Sequence, residues 1–222
     1  LRFASWNPEI FPVLEVIREK PVSSFLAPGA NLCTALPRYR VFLNGEVSED
    51  VNEVKALWNI GSVGFLIGCT ASADGLLLEN GLSVRHVEEQ KAMPLYETKL
   101  RTNPTGPFRG PVVVAMRPLS QTAVKEAYRL TESLELVQGA PLHIGAPSEV
   151  GIRSLETPDY GDAVRIAPDE TPVFWSSPAT MQAVLRFAKL PLAITETPGF
   201  PLVSDIRNAA LPELFKKEKA RV

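Results

Sequence analysis

The chain has 222 residues, of which 45% are hydrophobic and 22% are charged, and its formal net charge is −2. These values exclude extended disorder and predict one compact domain or two closely packed lobes. They also exclude the strong positive field that attracts nucleic acid or an anionic membrane, so neither is expected as a partner. The expected partner is a small molecule, and association into a homo-oligomer stays open.

Two cysteines, Cys33 and Cys69, lie in such different surroundings that neither a disulfide framework nor a metal knuckle is indicated, which fits a reducing compartment. The longest apolar runs, such as residues 63–69, are well short of the ~18 residues that suggest a membrane span. We therefore expect a cytoplasmic protein, or one of the mitochondrial matrix if it is eukaryotic and a targeting segment has been trimmed.

The first predicted elements are strands and short helices. An Asn-Gly pair predicts a tight hairpin over residues 38–47. Apolar spacing predicts a short helix over 51–58, and a continuous apolar run predicts a buried strand over 63–69. Ser72 is expected to cap a helix that stops near Gly81.

A second strand, helix and strand unit follows. Strands are predicted over 93–100 and 111–116, a helix runs from Ser120 to about Thr131, and residues 141–145 form the next strand. This order predicts an α/β fold, with a mixed sheet covered by helices.

The last third of the chain completes the predicted fold. We expect a strand over 172–175, a helix over 180–187, a strand over 190–195 and a further extended segment over 202–205. The basic run 216–221 is interpreted as the solvated end of a helix.

Two lobes are expected. Residues 1–95 together with 160–222 would form the main α/β lobe, and residues 96–159 a second, smaller α/β lobe. A cleft between the lobes is the expected ligand site.

Three candidate site residues lie at the end of the predicted strand 63–69 or just after it. The chain turns into a helix there, and the first backbone N–H groups of a helix are free. Cys69 is a candidate nucleophile, with a small packed residue as the alternative, because a thiolate needs a base or a positive charge nearby. Thr70 and Ser72 are candidate carboxylate binders, since hydroxyls and helix N-terminal amides hold anions.

The chain has only two histidines, and histidine is the usual proton shuttle near neutral pH. His143, flanked by glycine-containing segments, is a candidate general acid or base, with a structural histidine as the alternative. His86 would share a face with Glu88 in an extended segment. Two ligands without a third are insufficient for a metal, so no metal site is predicted and a surface salt-bridge cluster is the alternative.

Arg117 directly follows the predicted strand 111–116, at the edge where open α/β sheets bind ligands. Its guanidinium can clamp a carboxylate, or it can pair with an acid such as Asp162. Asp159, Asp162 and Asp205 lie in polar turns that suit Asx-turns or a general base. The sequence contains no phosphate loop, dinucleotide fingerprint or nucleophile elbow, so no cofactor is expected.

Seven strings form an ordered set along the chain: FLIGCT (65–70), VRHVEE (84–89), MPLY (93–96), GPVVVAMRP (110–118), GAPLHIG (139–145), PDYGDA (158–163) and PVFW (172–175). In this order and spacing they resemble the bacterial hydro-lyase family whose mitochondrial relative is D-glutamate cyclase. The resemblance spans nearly the whole chain, from about Leu1 to Asp205.

The resemblance implies a carbon–oxygen lyase that interconverts D-glutamate with 5-oxo-D-proline and water. The substrate amine would attack its own γ-carboxyl group, which requires proton removal from nitrogen, oxyanion donors and an acid for the departing hydroxyl. Our hypothesis is that His143 shuttles the proton, that Asp162 orients His143, and that Cys69 belongs to the catalytic set.

The same hypothesis assigns the substrate-binding residues. Thr70 and Ser72, with backbone amides, would hold one carboxylate and Arg117 the other. Arg85, in the VRHVEE string, is also expected to bind the substrate.

Two strings depart from the pattern of many bacterial members. Those members have Cys-Gly where this chain has Ser176-Ser177, and His-Ala-Pro-Gly-His where this chain has Glu196-Thr197-Pro198-Gly199-Phe200. Two alternatives to the cyclase reaction therefore stay open. One is a hydratase or dehydratase of another small carboxylic acid, and the other is a metabolite-binding protein without catalytic activity.

Overall fold

The computed structural model of the chain describes residues 1–207, 210 and 213. The basic run interpreted as a helix end at 216–221 lies outside these residues. Within the described part, α-helices and strands alternate along the chain and the strands form three sheets, so the α/β prediction is confirmed. The described strand pairs are antiparallel. None of the described helices is long and apolar enough to cross a membrane.

The helices and strands are, in chain order, α1 (Arg2–Ser5), β1 (Val13–Arg18), β2 (Tyr39–Leu43), β3 (Glu46–Val51), β4 (Val63–Ile67), α2 (Ser72–Glu79), α3 (Arg85–Glu88), β5 (Leu95–Arg101), β6 (Pro111–Ser120), α4 (Gln121–Thr131), β7 (His143–Ile144), β8 (Glu170–Ser176), α5 (Thr180–Ala188) and β9 (Leu192–Glu196). Single turns of 3-10 helix occur at Lys55–Leu57, Glu135–Val137 and Pro147–Val150.

A four-stranded sheet of order β5-β6-β8-β7 contributes residues to three of the buried apolar clusters. Helix α4 connects β6 to β7, as the sequence predicts, but β8 lies between these two strands and pairs with both. The sheet therefore combines strands from residues 96–159 with a strand from beyond residue 160. The division of the chain into two lobes stays a prediction.

The two faces of this sheet have different covers, because side chains alternate along β6. On one face, Met116 packs with Phe174 against the segment 147–166. On the other face, Ala115 packs against α5, while Leu119 and Trp175 pack against α2 and α4. Fully burying one large apolar side chain contributes about 1.5–3 kcal/mol, so both faces hold the sheet in place.

The predicted hairpin is confirmed. Asn44 and Gly45, at the turn between β2 and β3, have φ values of 51° and 86°. Positive φ at both central residues is the requirement of a type I′ turn, which explains the Asn-Gly pair. Strand β9 pairs with the other edge of β2 and so reaches the same small sheet.

The helix predicted over 51–58 is wrong. Strand β3 continues to Val51, and only the 3-10 turn Lys55–Leu57 follows. The apolar spacing has another cause, since Val54, Leu57 and Trp58 pack as loop side chains into the cluster around Tyr39.

Other elements differ in detail from the prediction. Strand β4 is only half-buried, since it pairs with β1 alone, a strand that the sequence did not reveal. Ser72 is the first residue of α2, and Ala71 rather than Ser72 occupies the cap position. The segment 202–205 is not part of a strand. The helix predicted from Ser120 to about Thr131 is confirmed as α4, and Ser120 caps it, because its Oγ accepts a hydrogen bond from Ala123 N.

Candidate functional site

The turn between β4 and α2 carries Cys69 and Thr70 and is held in place by close packing. A Cβ atom on Gly68 would lie 1.7 Å from Leu136 O, so only glycine fits at this position. Gln138 donates from Nε2 to Gly68 O at 2.5 Å and adopts a φ of 77°, which is unusual for a residue other than glycine. Strained backbone of this kind concentrates at functional sites.

Arg117 lies inside a strand, not at its end as predicted, because β6 continues to Ser120. Its side chain is fully buried on the sheet face that α2 covers. Nε donates to Asp74 Oδ1 at 2.7 Å, and Nη2 donates to Thr70 O at 2.9 Å. The acidic partner of Arg117 is therefore Asp74 and not Asp162.

Asp74 joins Arg117 to His86. His86 Nε2 lies 3.1 Å from Asp74 Oδ2, and both side chains are buried. Burial alone would raise the pKa of Asp74, but the Arg117 charge and the His86 hydrogen bond hold this pKa below its ordinary value. Asp74 is therefore an ionised carboxylate at neutral pH.

The expected pairing of His86 with Glu88 is wrong, because residues 85–88 form the short helix α3 and not an extended segment. Glu88 instead accepts hydrogen bonds from Ser83 Oγ and Arg85 Nε. His86 is thus free to face Asp74 in the buried network.

The guanidinium of Arg117 also stacks on an aromatic ring. Its Cζ lies 4.9 Å from the centroid of the Trp175 ring, within the range of a cation–π contact. Nη1 is buried and has no hydrogen-bond partner among the described residues. Two hydrogen bonds and the ring contact therefore fix the guanidinium plane, while Nη1 is the one nitrogen left unpaired among the described residues.

Cys69 and Glu196 lie close enough for the charge of Glu196 to act on the thiol. Burial, followed by the Glu196 charge, raises the pKa of Cys69 to about 12. Burial also raises the pKa of Glu196, the last residue of β9, to about 7. Both residues nevertheless keep some accessible surface, and we call the region around them the recess. At neutral pH the site holds a protonated thiol and a carboxyl group close to its titration midpoint.

Buried polar atoms without partners concentrate around this pair. Among the described residues, seven side chains have such an atom. Four of the seven lie next to Cys69 in the chain, or share a hydrogen bond with an immediate neighbour of Cys69 or with Glu196: Thr70, Arg117, Gln138 and Gln182. Buried polar groups are normally satisfied, so such a concentration indicates the place where water or a ligand binds.

The structure does not bring His143 and Asp162 together. Asp162 Oδ2 accepts a hydrogen bond from Ala92 N beside β5, whereas His143 lies in β7 at the opposite edge of the sheet. Three inter-strand spacings separate these edges, or roughly 14 Å. His143 Nε2 lies 2.9 Å from Ala146 O. The catalytic roles of the two residues stay predictions.

His143 also faces away from Arg117. It pairs with Phe174 and its ring lies 5.7 Å from the Phe174 ring, on the face that contains Met116. Arg117 pairs with Val173, on the other face.

The two remaining predicted ligands of a carboxylate are engaged with the protein. Arg85 donates to Glu88, to Arg165 O and to Glu170, so each of its nitrogens has a protein partner. Ser72 lies beside Thr70, but its backbone N–H donates to Cys69 O at 2.9 Å. The first backbone N–H groups of α2 therefore bond within their own helical turn and are not available to a carboxylate.

Two surface depressions lie elsewhere. One, of about 520 Å³, is bordered by Glu97, Arg101 and Arg186, and the other, of about 590 Å³, by Trp58 and Ile60. The described residues contain no group of three or more His, Cys, Asp or Glu side chains arranged for a metal ion. Neither depression is bordered by Cys69 or Glu196.

Sequence reasoning missed Asp74, Gln182 and Glu196. The signal for Asp74 was present, since it lies one helical turn after Thr70 at the start of α2. Glu196 was noted only as a departure from a family string. Its proximity to Cys69 depends on the pairing of β9 with β2, which a local pattern does not reveal.

Comparison with known proteins relates most of the chain to one family. The model of the family described as D-glutamate cyclase matches residues 63–205. A protein of Bacillus licheniformis named "Putative hydro-lyase" is 42% identical over 209 residues, covering 94% of this chain and 80% of that protein. A protein of Verminephrobacter eiseniae with the same name is 43% identical over 213 residues, covering 96% of this chain and 78% of that protein.

Proposed function

Because this chain belongs to the D-glutamate cyclase family, we propose that it is a hydro-lyase that acts on a small carboxylic acid. The finer proposal is that it interconverts D-glutamate with 5-oxo-D-proline and water.

One observation carries the proposal, namely the four buried side chains with unpaired polar atoms around Cys69 and Glu196. Leaving a buried polar group unpaired costs about 1–3 kcal/mol, so a small polar ligand that satisfies several of them gains affinity from each. A hydrophobic ligand would leave them unpaired. The recess therefore favours a compact, strongly polar molecule.

Arg117 and Thr70 give the recess its preference for an acid. Arg117 Nη1 and Thr70 Oγ1 are both buried without a partner among the described residues, and the two residues are linked through the Nη2 contact with Thr70 O. A guanidinium N–H and a hydroxyl are good donors to a carboxylate. Asp74 and Trp175 hold the guanidinium in one orientation before the ligand arrives.

The proposed reaction moves two protons from nitrogen to oxygen. The substrate nitrogen loses two protons and forms a bond to the carbon of the side-chain carboxyl group, whose bond to one oxygen breaks. That oxygen gains both protons and leaves as water. Donors near the carboxyl group stabilise the oxyanion, and Cys69, which keeps its proton at neutral pH, is a further candidate donor.

The test is direct conversion. The purified protein is incubated with D-glutamate and, separately, with 5-oxo-D-proline, and the products are separated by chiral chromatography with mass detection. We expect stereospecific interconversion, with the L-enantiomers unchanged. Binding of D-glutamate without product would instead favour a metabolite-binding protein, and no binding would favour another carboxylic acid.

A matched pair of variants tests the assigned site. Thr70→Val removes the unpaired hydroxyl with little change in shape, and we expect a rise in KM of about 5- to 50-fold from the loss of one hydrogen bond to a charged group. Thr34→Val, at an exposed threonine, is the control and leaves KM unchanged. Equal KM values in both variants would remove Thr70 from the binding site.

A further inference from the structure

The turn that leads into α2 carries two backbone N–H groups that the helix does not use. The N–H groups of residues 72–74, at the start of α2, donate to the carbonyl oxygens of residues 69–71. The N–H groups of Thr70 and Ala71 come directly before them, and neither donates to an oxygen or nitrogen atom of a described residue. Two donors are therefore left at the beginning of the helical turns, where a helix always has unsatisfied N–H groups.

These two N–H groups point in the same direction, away from α2. No peptide bond of the described residues is cis, and in a trans peptide group the N–H and the C=O point in opposite directions. The Thr70 N–H shares its peptide group with Cys69 O, which accepts from Ser72 N at 2.9 Å. The Ala71 N–H shares its group with Thr70 O, which accepts from Ala73 N at 3.1 Å. Because both carbonyls point into the helix, both N–H groups point out of its N-terminus, which is the arrangement that binds an anionic oxygen.

Two side chains of the same turn indicate that a ligand belongs there. The Thr70 hydroxyl is buried and has no partner among the described residues. Burial raises the pKa of the Cys69 thiol, but a hydrogen bond from the Ala71 N–H acts in the opposite direction, so this N–H faces the sulfur. Sulfur is a weak acceptor, which an anionic oxygen can replace. Cys69 and Ala71 both keep some accessible surface, so a ligand can reach them.

The turn is held in place before any ligand arrives. Gly68 N donates to Pro12 O at 3.0 Å, and Gly68 O accepts from Gln138 Nε2. On the other side of the turn, Thr70 O accepts from Arg117 Nη2 as well as from the helix. Donors that are oriented in advance do not have to reorganise as negative charge develops, and this is the physical basis of an oxyanion hole.

We infer that the backbone N–H groups of Thr70 and Ala71 form the oxyanion hole of the site. This inference rests on the proposed function and assigns the donors that the reaction requires. It also separates two tasks within the turn, because the Thr70 hydroxyl and Arg117 Nη1 bind the substrate, whereas the two N–H groups act on the reacting carboxyl group.

The reaction creates one oxyanion for these N–H groups. One proton moves from the substrate nitrogen to one oxygen of the side-chain carboxyl group. The nitrogen lone pair then forms the bond to carbon, and the C=O electron pair moves to the other oxygen, whose negative charge the two N–H groups stabilise. This pair returns to restore the C=O bond while the protonated oxygen leaves. The departing oxygen takes the second nitrogen proton and becomes water.

The variant Ala71→Pro removes one of the two N–H groups. The φ of Ala71 is −60°, which proline adopts, and proline is tolerated in the first turn of a helix. We expect kcat for D-glutamate cyclisation to fall about 10²- to 10³-fold. KM should stay within about threefold, because the oxyanion develops only in the transition state. The control is Ala56→Pro, at an exposed position of the turn Lys55–Leu57, and it should keep the wild-type kcat.

A second variant removes the same N–H group without introducing a ring. Lactic acid in place of Ala71, incorporated by nonsense suppression, exchanges the N–H for an ester oxygen. The same exchange at Ala56 is its control. Circular dichroism shows which variants fold, and if Ala71→Pro does not, the ester variant decides. We expect its kcat to fall by at least tenfold.

Binding of a phosphonate supplies a readout that is independent of turnover. In the phosphonate analogue of D-glutamate, a tetrahedral and anionic phosphonate replaces the side-chain carboxyl group and resembles the oxyanion. Affinities are measured by titration calorimetry. We expect the Ala71 variants to bind the phosphonate at least tenfold more weakly than the wild type, while their affinity for D-glutamate changes by less than threefold.

The outcomes separate the two proposals. A folded Ala71 variant with kcat within threefold of the wild type overturns the inference, as does a rise in KM at unchanged kcat, which would mean that the N–H groups only bind the substrate. If the wild type does not convert D-glutamate, the cyclase reaction is refuted and the phosphonate decides the inference alone. A selective loss of phosphonate affinity in the Ala71 variants then supports the oxyanion hole, whereas unchanged affinity, or no binding to the wild type, overturns it.

Discussion

Replacing Glu196 with glutamine should stabilise the protein at alkaline pH. The carboxyl group has a pKa of about 7 in the folded chain and an ordinary value of 4.5. Between these values the folded state holds a proton that the unfolded chain has lost, so stability falls as the pH rises. The contribution is complete below pH 4.5 and is lost as the pH rises through about 7.

The magnitude follows from the same two values. At 1.36 kcal/mol for each tenfold change in proton affinity, the difference corresponds to ~3 kcal/mol at full effect, and partial exposure of Glu196 reduces it to ~1–3 kcal/mol. The free energy of unfolding is measured by urea denaturation at pH 5, 6, 7 and 8. We expect the advantage of Glu196→Gln over the wild type to grow by this amount across the series.

The exposed control Glu46→Gln should show no such growth. A constant difference between Glu196→Gln and the wild type across all four pH values would refute the reasoning, since it would mean that Glu196 titrates as it does in the unfolded chain. A positive result would show that the ionised form of Glu196 costs stability in the folded chain.

Three further predictions concern the buried network and the thiol. Asp74→Asn should reduce the free energy of unfolding by about 3–5 kcal/mol, since it leaves the Arg117 guanidinium buried without its counter-ion, and urea denaturation measures this loss. His86→Ala should lower kcat/KM for D-glutamate by tenfold or more, because His86 contacts Asp74 in the buried network, and His143→Ala in the same assay tests the predicted proton shuttle. Cys69 should be alkylated by iodoacetamide far more slowly in the folded than in the unfolded protein at pH 7.5, as measured by peptide mass spectrometry, because its pKa is about 12.

Each of these three predictions has an outcome that would contradict it. The exposed pair of Arg40 and Asp50 is the control for the first, and Asp50→Asn should cost less than about 1 kcal/mol. Equal losses in the two asparagine variants would argue against a buried ion pair. An unchanged kcat/KM in His86→Ala would contradict a role for the buried network, and an unchanged kcat/KM in His143→Ala would remove His143 from the proposed mechanism. Rapid alkylation of Cys69 in the folded chain would mean that the thiol is activated.

The sequence predicted those parts of the fold that local chemistry determines. Asn44 and Gly45 specify their turn through positive φ, and Ser120 specifies the start of α4 through its capping hydroxyl. The apolar run of β6 was recognised, but its end was placed too early, because Arg117 interrupts the pattern of hydrophobicity without interrupting the strand. A hydrophobicity pattern that treats every charged residue as exposed cannot predict a buried charge inside a strand.

The candidate site was predicted in part. Cys69, Thr70 and Arg117 come together as a single group, although their roles are untested. Asp74 and Glu196 were not anticipated, because each depends on long-range packing: the first on the docking of α2 against β6, and the second on the approach of β9 to the turn after β4. His143 is the opposite case. Its flanking glycines made it a candidate in the sequence, but the strand register places its side chain on the other face of the sheet from Arg117.

The position of Arg117 in the middle of β6 also bears on how the sheet folds. Side chains alternate along a strand, so a shift of one residue between β6 and β8 would turn Arg117 towards Phe174 and away from Asp74. Such a shift would bury a guanidinium without its carboxylate, at a cost of about 3–5 kcal/mol. A run of five consecutive apolar residues, 112–116, carries little information about its own alignment, and one arginine supplies it. The ion pair of Arg117 and Asp74, which orients the guanidinium, thereby also favours the correct register between β6 and β8.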